Sequence, residues 1–147
     1  MTQSRRLARP AIFTLAALAA LAPVWAHHSF GAEYDSTKPI TITGVVTDMQ
    51  WTNPHIYFFL DAKGQSGKIE HWKFEGYPPG VLNRIGWKRN VTMVPGDTVT
   101  VTGWRARDGS TWGHSREVTF AKSGKKLQSG PPAGNGDGGN RPPQFAK

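Results

Sequence analysis

Period-two alternation is the feature that most restricts how this chain can fold. Ile40–Gln50 reads ITITGVVTDMQ, His55–Asp61 HIYFFLD, Lys68–Glu75 KIEHWKFE and Thr98–Arg105 TVTVTGWR. β-Branched and aromatic side chains at alternate positions send one face of each segment into a core and the other toward solvent, the pattern of half-buried strands. Turn chemistry separates them: Trp51-Thr52-Asn53-Pro54, Ala62–Gly67, Pro95-Gly96-Asp97 and Asp108-Gly109. A fifth strand is expected over His114–Lys122, after which Ser123-Gly124 turns into a short segment through Leu127. Val91–Val94 reads as briefly extended. Only Val81–Ile85, between Pro78-Pro79-Gly80 and Gly86, reads as helix, one or two turns long.

Three strands, a short helix and two more strands is the order of the OB barrel. The expected fold is therefore mainly all-β: a small five-stranded OB-like antiparallel barrel with one short helix between strands 3 and 4. An open antiparallel sandwich is the competing arrangement. Ile56, Phe58 and Leu60, with Ile42 and the valines of strands one and four, are the expected core. Gly44, in mid-strand, is the expected site of a bulge or bend.

The amino terminus differs in kind. Arg5, Arg6 and Arg9 precede a short apolar run, AIFTLAALAALA over 11–22, and Val24 and Ala26 suit a signal peptidase. The run is too short for a comfortable membrane span and reads as a cleavable signal peptide over residues 1–26. The expected location is the periplasm or the secreted fraction. Residues 27–38 are expected to be an extended arm, 39–127 the barrel domain, and 128–147, rich in Gly and Pro, a disordered tail. The whole chain has 18 basic and 10 acidic residues, and the leader takes three of the basic ones. The remainder is mildly basic with scattered charges, which argues against nucleic acid as partner. No second apolar run follows the leader, and a monomer is expected.

There is no cysteine. That excludes thiolate-bound zinc, iron–sulfur clusters, a thiol nucleophile and covalently attached haem, and leaves histidine, carboxylate or backbone ligands for any metal. Cleavage after Ala26 would make His27 the first residue and His28 the second. The amine and ring of His27 can close a chelate on a metal ion, and one further imidazole would complete a histidine brace for copper or zinc. Cleavage after Trp25 would instead place His28 third from the amine, itself a copper-chelating arrangement. His55, held by the Asn53-Pro54 turn, and His114, at a strand start, are the other candidate metal ligands. His71 sits in mid-strand and is expected to be solvated. Glu75, Glu33 and Asp35 are carboxylates that could orient an imidazole.

No Gly-x-Ser-x-Gly elbow, phosphate loop, zinc-protease helix or dinucleotide fingerprint is present. No catalytic residue is assigned, and a binding domain is favoured over a small histidine-brace metalloenzyme. Trp51, Trp87 and Trp112 fall in turns or hairpins and are candidate ligand-binding side chains. They would suit a module that stacks on carbohydrate or another envelope polymer.

Several local patterns occur together: His27-His28-Ser29-Phe30, Trp51-Thr52-Asn53-Pro54-His55, Trp72-Lys73-Phe74-Glu75, Leu82-Asn83-Arg84-Ile85-Gly86-Trp87, Pro95-Gly96-Asp97 and Arg107-Asp108-Gly109-Ser110. Over residues 27–127 the chain resembles a family of small exported bacterial proteins that carries only a domain-of-unknown-function label. The resemblance implies an exported β-rich domain and no catalytic residue. Intact-mass measurement of the exported protein is expected to give a chain beginning at His27. A chain that keeps residues 1–26 would remove both the export assignment and the chelating amino terminus.

Overall fold

The computed structural model describes residues 30–132. The elements are α1 (Phe30–Glu33), β1 (Tyr34–Gln50), β2 (Tyr57–Lys63), β3 (Ile69–Glu75), α2 (Pro79–Arg84), β4 (Thr98–Ala106), β5 (Trp112–Phe120) and β6 (Lys126–Gln128). The hydrogen-bonded order is β3-β2-β1-β4-β5-β6, and β3 also pairs with β5. That extra pairing closes β1–β5 into a barrel of OB-like topology, with α2 between the third and fourth strands as expected. The closing pair is parallel, whereas every other pair is antiparallel. A parallel pair needs a crossover rather than a hairpin, and α2 with β4 supplies it. Among the described residues no helix is long and apolar enough to cross a membrane.

The long first strand serves two partners. Its first part pairs with β4 from Pro39↔Trp104 to Val45↔Thr98, and its second part pairs with β2 from Gly44↔Ala62 to Gln50↔Tyr57. The register shift falls between Val46 and Asp48, not at Gly44. Gly44 does a different job: a Cβ there would lie 2.6 Å from the carbonyl oxygen of Asp61, so its absence lets β2 approach. At the edge of the shift, Val46 exchanges backbone bonds with the Pro95-Gly96-Asp97 turn, donating to the Asp97 carbonyl at 2.8 Å and accepting from Gly96 at 2.8 Å. The bent strand therefore leaves neither group unpaired.

Alternation fills the core. Ile56, Phe58, Leu60, Val46, Val99, Val101 and Val118 are buried, Ile42 packs at the edge, and Val45 faces solvent. Phe74 stacks between Phe58 and Trp72, with ring centroids at 5.5 and 5.7 Å. Helix α2 starts on a proline, which loses no intrahelical bond at that position, and ends at Gly86 with φ of 96°. It plugs one end of the barrel with Leu82, and the chain then buries Trp87, whose indole N–H donates to the Gln128 carbonyl at 2.9 Å. Val91–Val94, expected to be extended, forms turns and bends instead.

Both ends of the described chain are more ordered than composition suggested. The strand expected from residue 40 begins at Tyr34, so the arm expected over 27–38 contributes to β1. The expected tail is corrected over its first residues. β6 ends at Gln128, and Ser129 is buried, accepting from the Tyr77 N–H at 2.7 Å and donating to the Arg116 carbonyl at 2.8 Å. A backbone can be captured by edge bonds without an apolar side chain to bury.

The closing pairing depends on Gly113. A Cβ at this position would lie 2.9 Å from side-chain atoms of both Ile40 and Phe74 and 3.0 Å from the Trp104 carbonyl oxygen. Gly113→Val is expected to destabilise the fold by about 1–3 kcal/mol through overpacking, read as a lower midpoint in urea denaturation. An unchanged midpoint would mean that β3 and β5 do not close on one another.

Candidate metal centre at the closing seam

Closure sets Glu75 of β3 directly opposite His114 of β5. His55 arrives from the β1–β2 loop, after the cis Asn53–Pro54 bond, with Thr52 Oγ1 donating to its carbonyl at 3.2 Å. The His55 Nδ1 lies 2.9 Å from the Gly76 carbonyl and 3.2 Å from Glu75 Oε1. Both neighbours are acceptors, so Nδ1 is the donor, and in the neutral tautomer that this selects the lone pair sits on Nε2. This is the arrangement of a metal-ligating imidazole, whose other nitrogen is tied to a carbonyl or carboxylate.

The second carboxylate oxygen is held from the other side. The Tyr34 hydroxyl donates to Glu75 Oε2 at 2.6 Å. Burial first, then the Glu75 charge, push the Tyr34 hydroxyl well above the ordinary range, so it remains a donor. A chain therefore runs Tyr34–Glu75–His55 with both carboxylate oxygens partnered.

An aromatic cluster covers this chain. Phe30 of α1 packs its ring against Tyr34, Trp104 and His114, with centroids at 5.4, 5.2 and 5.2 Å. The Tyr34 and His114 rings meet nearly edge-on at 5.1 Å. Arg107 anchors the segment: its backbone N–H donates to the Glu33 carbonyl at 2.9 Å and its Nε donates to the Gly31 carbonyl at 2.7 Å. Phe30, the first described residue, thus sits beside the seam.

His114 is buried, with Nδ1 3.0 Å from the Ser115 carbonyl. Burial, with His55 acting in the same direction, pushes its ring down to about 4 despite the Ser115 bond. The imidazole is neutral at ordinary pH. The unfolded ring titrates near 6.5, so below that value the unfolded chain binds the proton more readily than the folded one. Stability is therefore complete above pH 6.5 and is lost as the pH falls toward 4, by about 3 kcal/mol from this residue. His114→Phe is expected to flatten the pH dependence of urea unfolding across that window. An unchanged slope would mean that His114 is not the group being titrated.

The remaining candidates are dispersed. His27 and His28 lie outside the described residues. His71 is exposed and bound to Asp61 at 2.6 Å. Asp35 is held by the Thr37 hydroxyl at 2.6 Å and by the Lys38 ammonium at 3.6 Å. Trp51 is half-buried against the core. Trp87, expected as an exposed ligand-binding side chain, is 1% exposed: the turn after α2 folds it inward, because an indole there fills the barrel's end. Trp112 is half-buried on the outer surface, with the Lys73 ammonium 4.5 Å from its ring centre. Sequence reasoning missed Tyr34, since nothing in a short polar stretch marks one tyrosine as a carboxylate's partner. Among the described residues no group of three or more His, Asp or Glu side chains is placed to hold a metal ion. The seam offers His55, oriented by Glu75, and no full ligand set.

Comparison with known proteins adds a family. No curated protein matches the chain. Solved structures do match, 17 chains in all. Among them is a mitochondrial single-stranded DNA-binding protein from S. cerevisiae, Rim1, with a TM-score of 0.44 and 10% identity over 63% of this chain and 96% of that one. The sequence pattern of a family of unknown function, DUF6152, matches residues 15–115, more than half of the 147 residues. The chain belongs to that family of unknown function.

Proposed function

We propose that this protein is an exported binding domain for a divalent transition metal, copper first, held between its processed amino terminus and the closing seam of the barrel. The ligands are the amine and ring of His27, with the Nε2 of His55 as third donor. His28 is the alternative donor if processing leaves Ala26 in place. Nitrogen-rich sites favour Cu(II) over the other divalent first-row ions, and Zn(II) is the next choice. The observation that carries this reading is Phe30, seated against His114 and Tyr34. His27 is three positions upstream of it, an extended reach of about 10 Å. Glu75 and Tyr34 supply the support a ligating histidine requires, fixing its tautomer and ring orientation. His114 stays neutral beneath Phe30 and adds no charge that would repel a cation.

Calorimetric titration of the processed protein with Cu(II) is expected to show one ion per chain. Affinity should fall about 10- to 100-fold in Tyr34→Phe and Glu75→Gln, which leave every ligand in place. A larger loss is expected in His55→Ala, or when one residue is added before His27. Failure of correctly processed protein to take up copper or zinc would overturn the proposal. Retention of full affinity in His55→Ala would confine the site to the arm alone.

A further inference from the structure

The outer face of the sheet carries a second feature that the metal reading leaves unused. One residue from each of four strands lines up in a row: Asp48 opposite Phe59, Phe59 opposite Lys73, and Lys73 opposite Trp112. A shorter row beside it pairs Asp61 with His71. Together they border an open groove of about 590 Å³. At the usual strand spacing the long row spans about 14 Å, the length of a short oligomer rather than of one small molecule.

The chemistry of the row selects among oligomers. Phe59 presents apolar ring surface, and so does the part of the Trp112 ring that the Lys73 ammonium leaves open, while Asp48 at the end of the long row and Asp61 in the row beside it present carboxylate acceptors. Asp61 is 39% exposed and gives one oxygen to His71, leaving the other for a ligand. Asp48 uses Oδ1 on the Met49 N–H at 2.8 Å, and its Oδ2 accepts only a long bond from the exposed Gln50 side chain, at 3.4 Å, which a sugar hydroxyl can displace. The only lysine in the rows is already engaged, its ammonium 4.2 Å from the Tyr57 ring centre and 4.5 Å from that of Trp112. A phosphate backbone would therefore meet two carboxylates with one occupied cation to balance them, a like-charge juxtaposition that disfavours binding. A sugar chain fits both halves of the pattern, since its C–H faces stack on aromatic rings and its hydroxyls donate to carboxylates. The groove also lies on the strand 2–3 face that OB barrels use for oligomeric ligands.

We propose that this groove binds a neutral glycan chain, with Trp112 and Phe59 stacking on sugar rings and Asp48 and Asp61 accepting sugar hydroxyls. It does not depend on the metal centre. The test is titration of the exported protein, in the presence of EDTA, with three neutral hexasaccharides: β-1,4-linked glucose, β-1,4-linked N-acetylglucosamine and α-1,4-linked glucose. Tryptophan fluorescence and calorimetry are the readouts. At least one hexamer is expected to bind saturably. Affinity should fall about tenfold in Trp112→Ala and measurably in Asp48→Asn, a surface change that leaves the core intact, while His55→Ala should bind as the unmodified protein does. No saturable binding of any hexamer at millimolar concentration would overturn the proposal. So would tighter binding of an oligothymidylate than of every hexamer, or undiminished binding in Asp48→Asn together with Trp112→Ala.

Discussion

The parallel pairing of β3 with β5 is the contact on which the rest of the molecule depends. Without it the strands form an open sheet with two exposed edges, and a sheet edge is a row of unpaired donors and acceptors. With it the sheet becomes a barrel whose interior is filled by Phe58, Phe74, Trp72, Val46, Val99, Val101 and Val118. The pairing is short, Lys73 to Glu75 against Trp112 to His114. It is tight only because Gly113 lets Ile40 and Phe74 occupy the space where a side chain would sit. The same three pairs determine the surface chemistry: Lys73 meets Trp112 in the groove, and Glu75 meets His114 at the seam.

Burying Glu75 carries an electrostatic cost that its partners must offset. A carboxylate out of water is tolerated when its oxygens meet polar partners: the Tyr34 hydroxyl donates to one, and the His55 Nδ1 lies 3.2 Å from the other. Period two puts Glu75 on the outer face with Lys73, yet it is 8% exposed, because the segment from Phe30 to Tyr34 lies over it. That segment is held by ring contacts and by Arg107, so order in the arm and order in the carboxylate support each other. A polar chain satisfied in this way is stiff, and stiffness is what an imidazole needs before it can act as a ligand.

Much of the architecture was legible in the chain. Alternation in ITITGVVTDMQ, HIYFFLD, KIEHWKFE and TVTVTGWR marks four strands, the last three within two residues of their observed limits and the first missing only its opening residues from Tyr34 to Pro39, and Pro78-Pro79 with Gly86 brackets the helix. The misses share a cause. Gly44 reads as a bend, whereas the chain bends at Thr47, where the Pro95–Asp97 turn can satisfy the freed backbone. Ser129 reads as tail, whereas β5 and Tyr77 capture its backbone. Trp87 reads as exposed, whereas the barrel end has an indole-sized space. In each case the deciding group lies far along the chain, beyond what local composition can report.

The same division holds for the candidate sites. His27, His28, His55 and His114 stand out in the sequence as nitrogen donors in a chain without cysteine, and the aromatic content stands out as stacking surface. By itself the sequence determined the class of chemistry available, nitrogen rather than thiolate ligands, and a β-barrel with one helix, because both follow from residue type and local periodicity. Tertiary structure alone decided which groups meet: Tyr34 with Glu75, Glu75 with His55, Phe30 with His114, and Lys73 between Tyr57 and Trp112. These partners are brought together by barrel closure, and closure depends on long-range backbone pairing that no local pattern encodes.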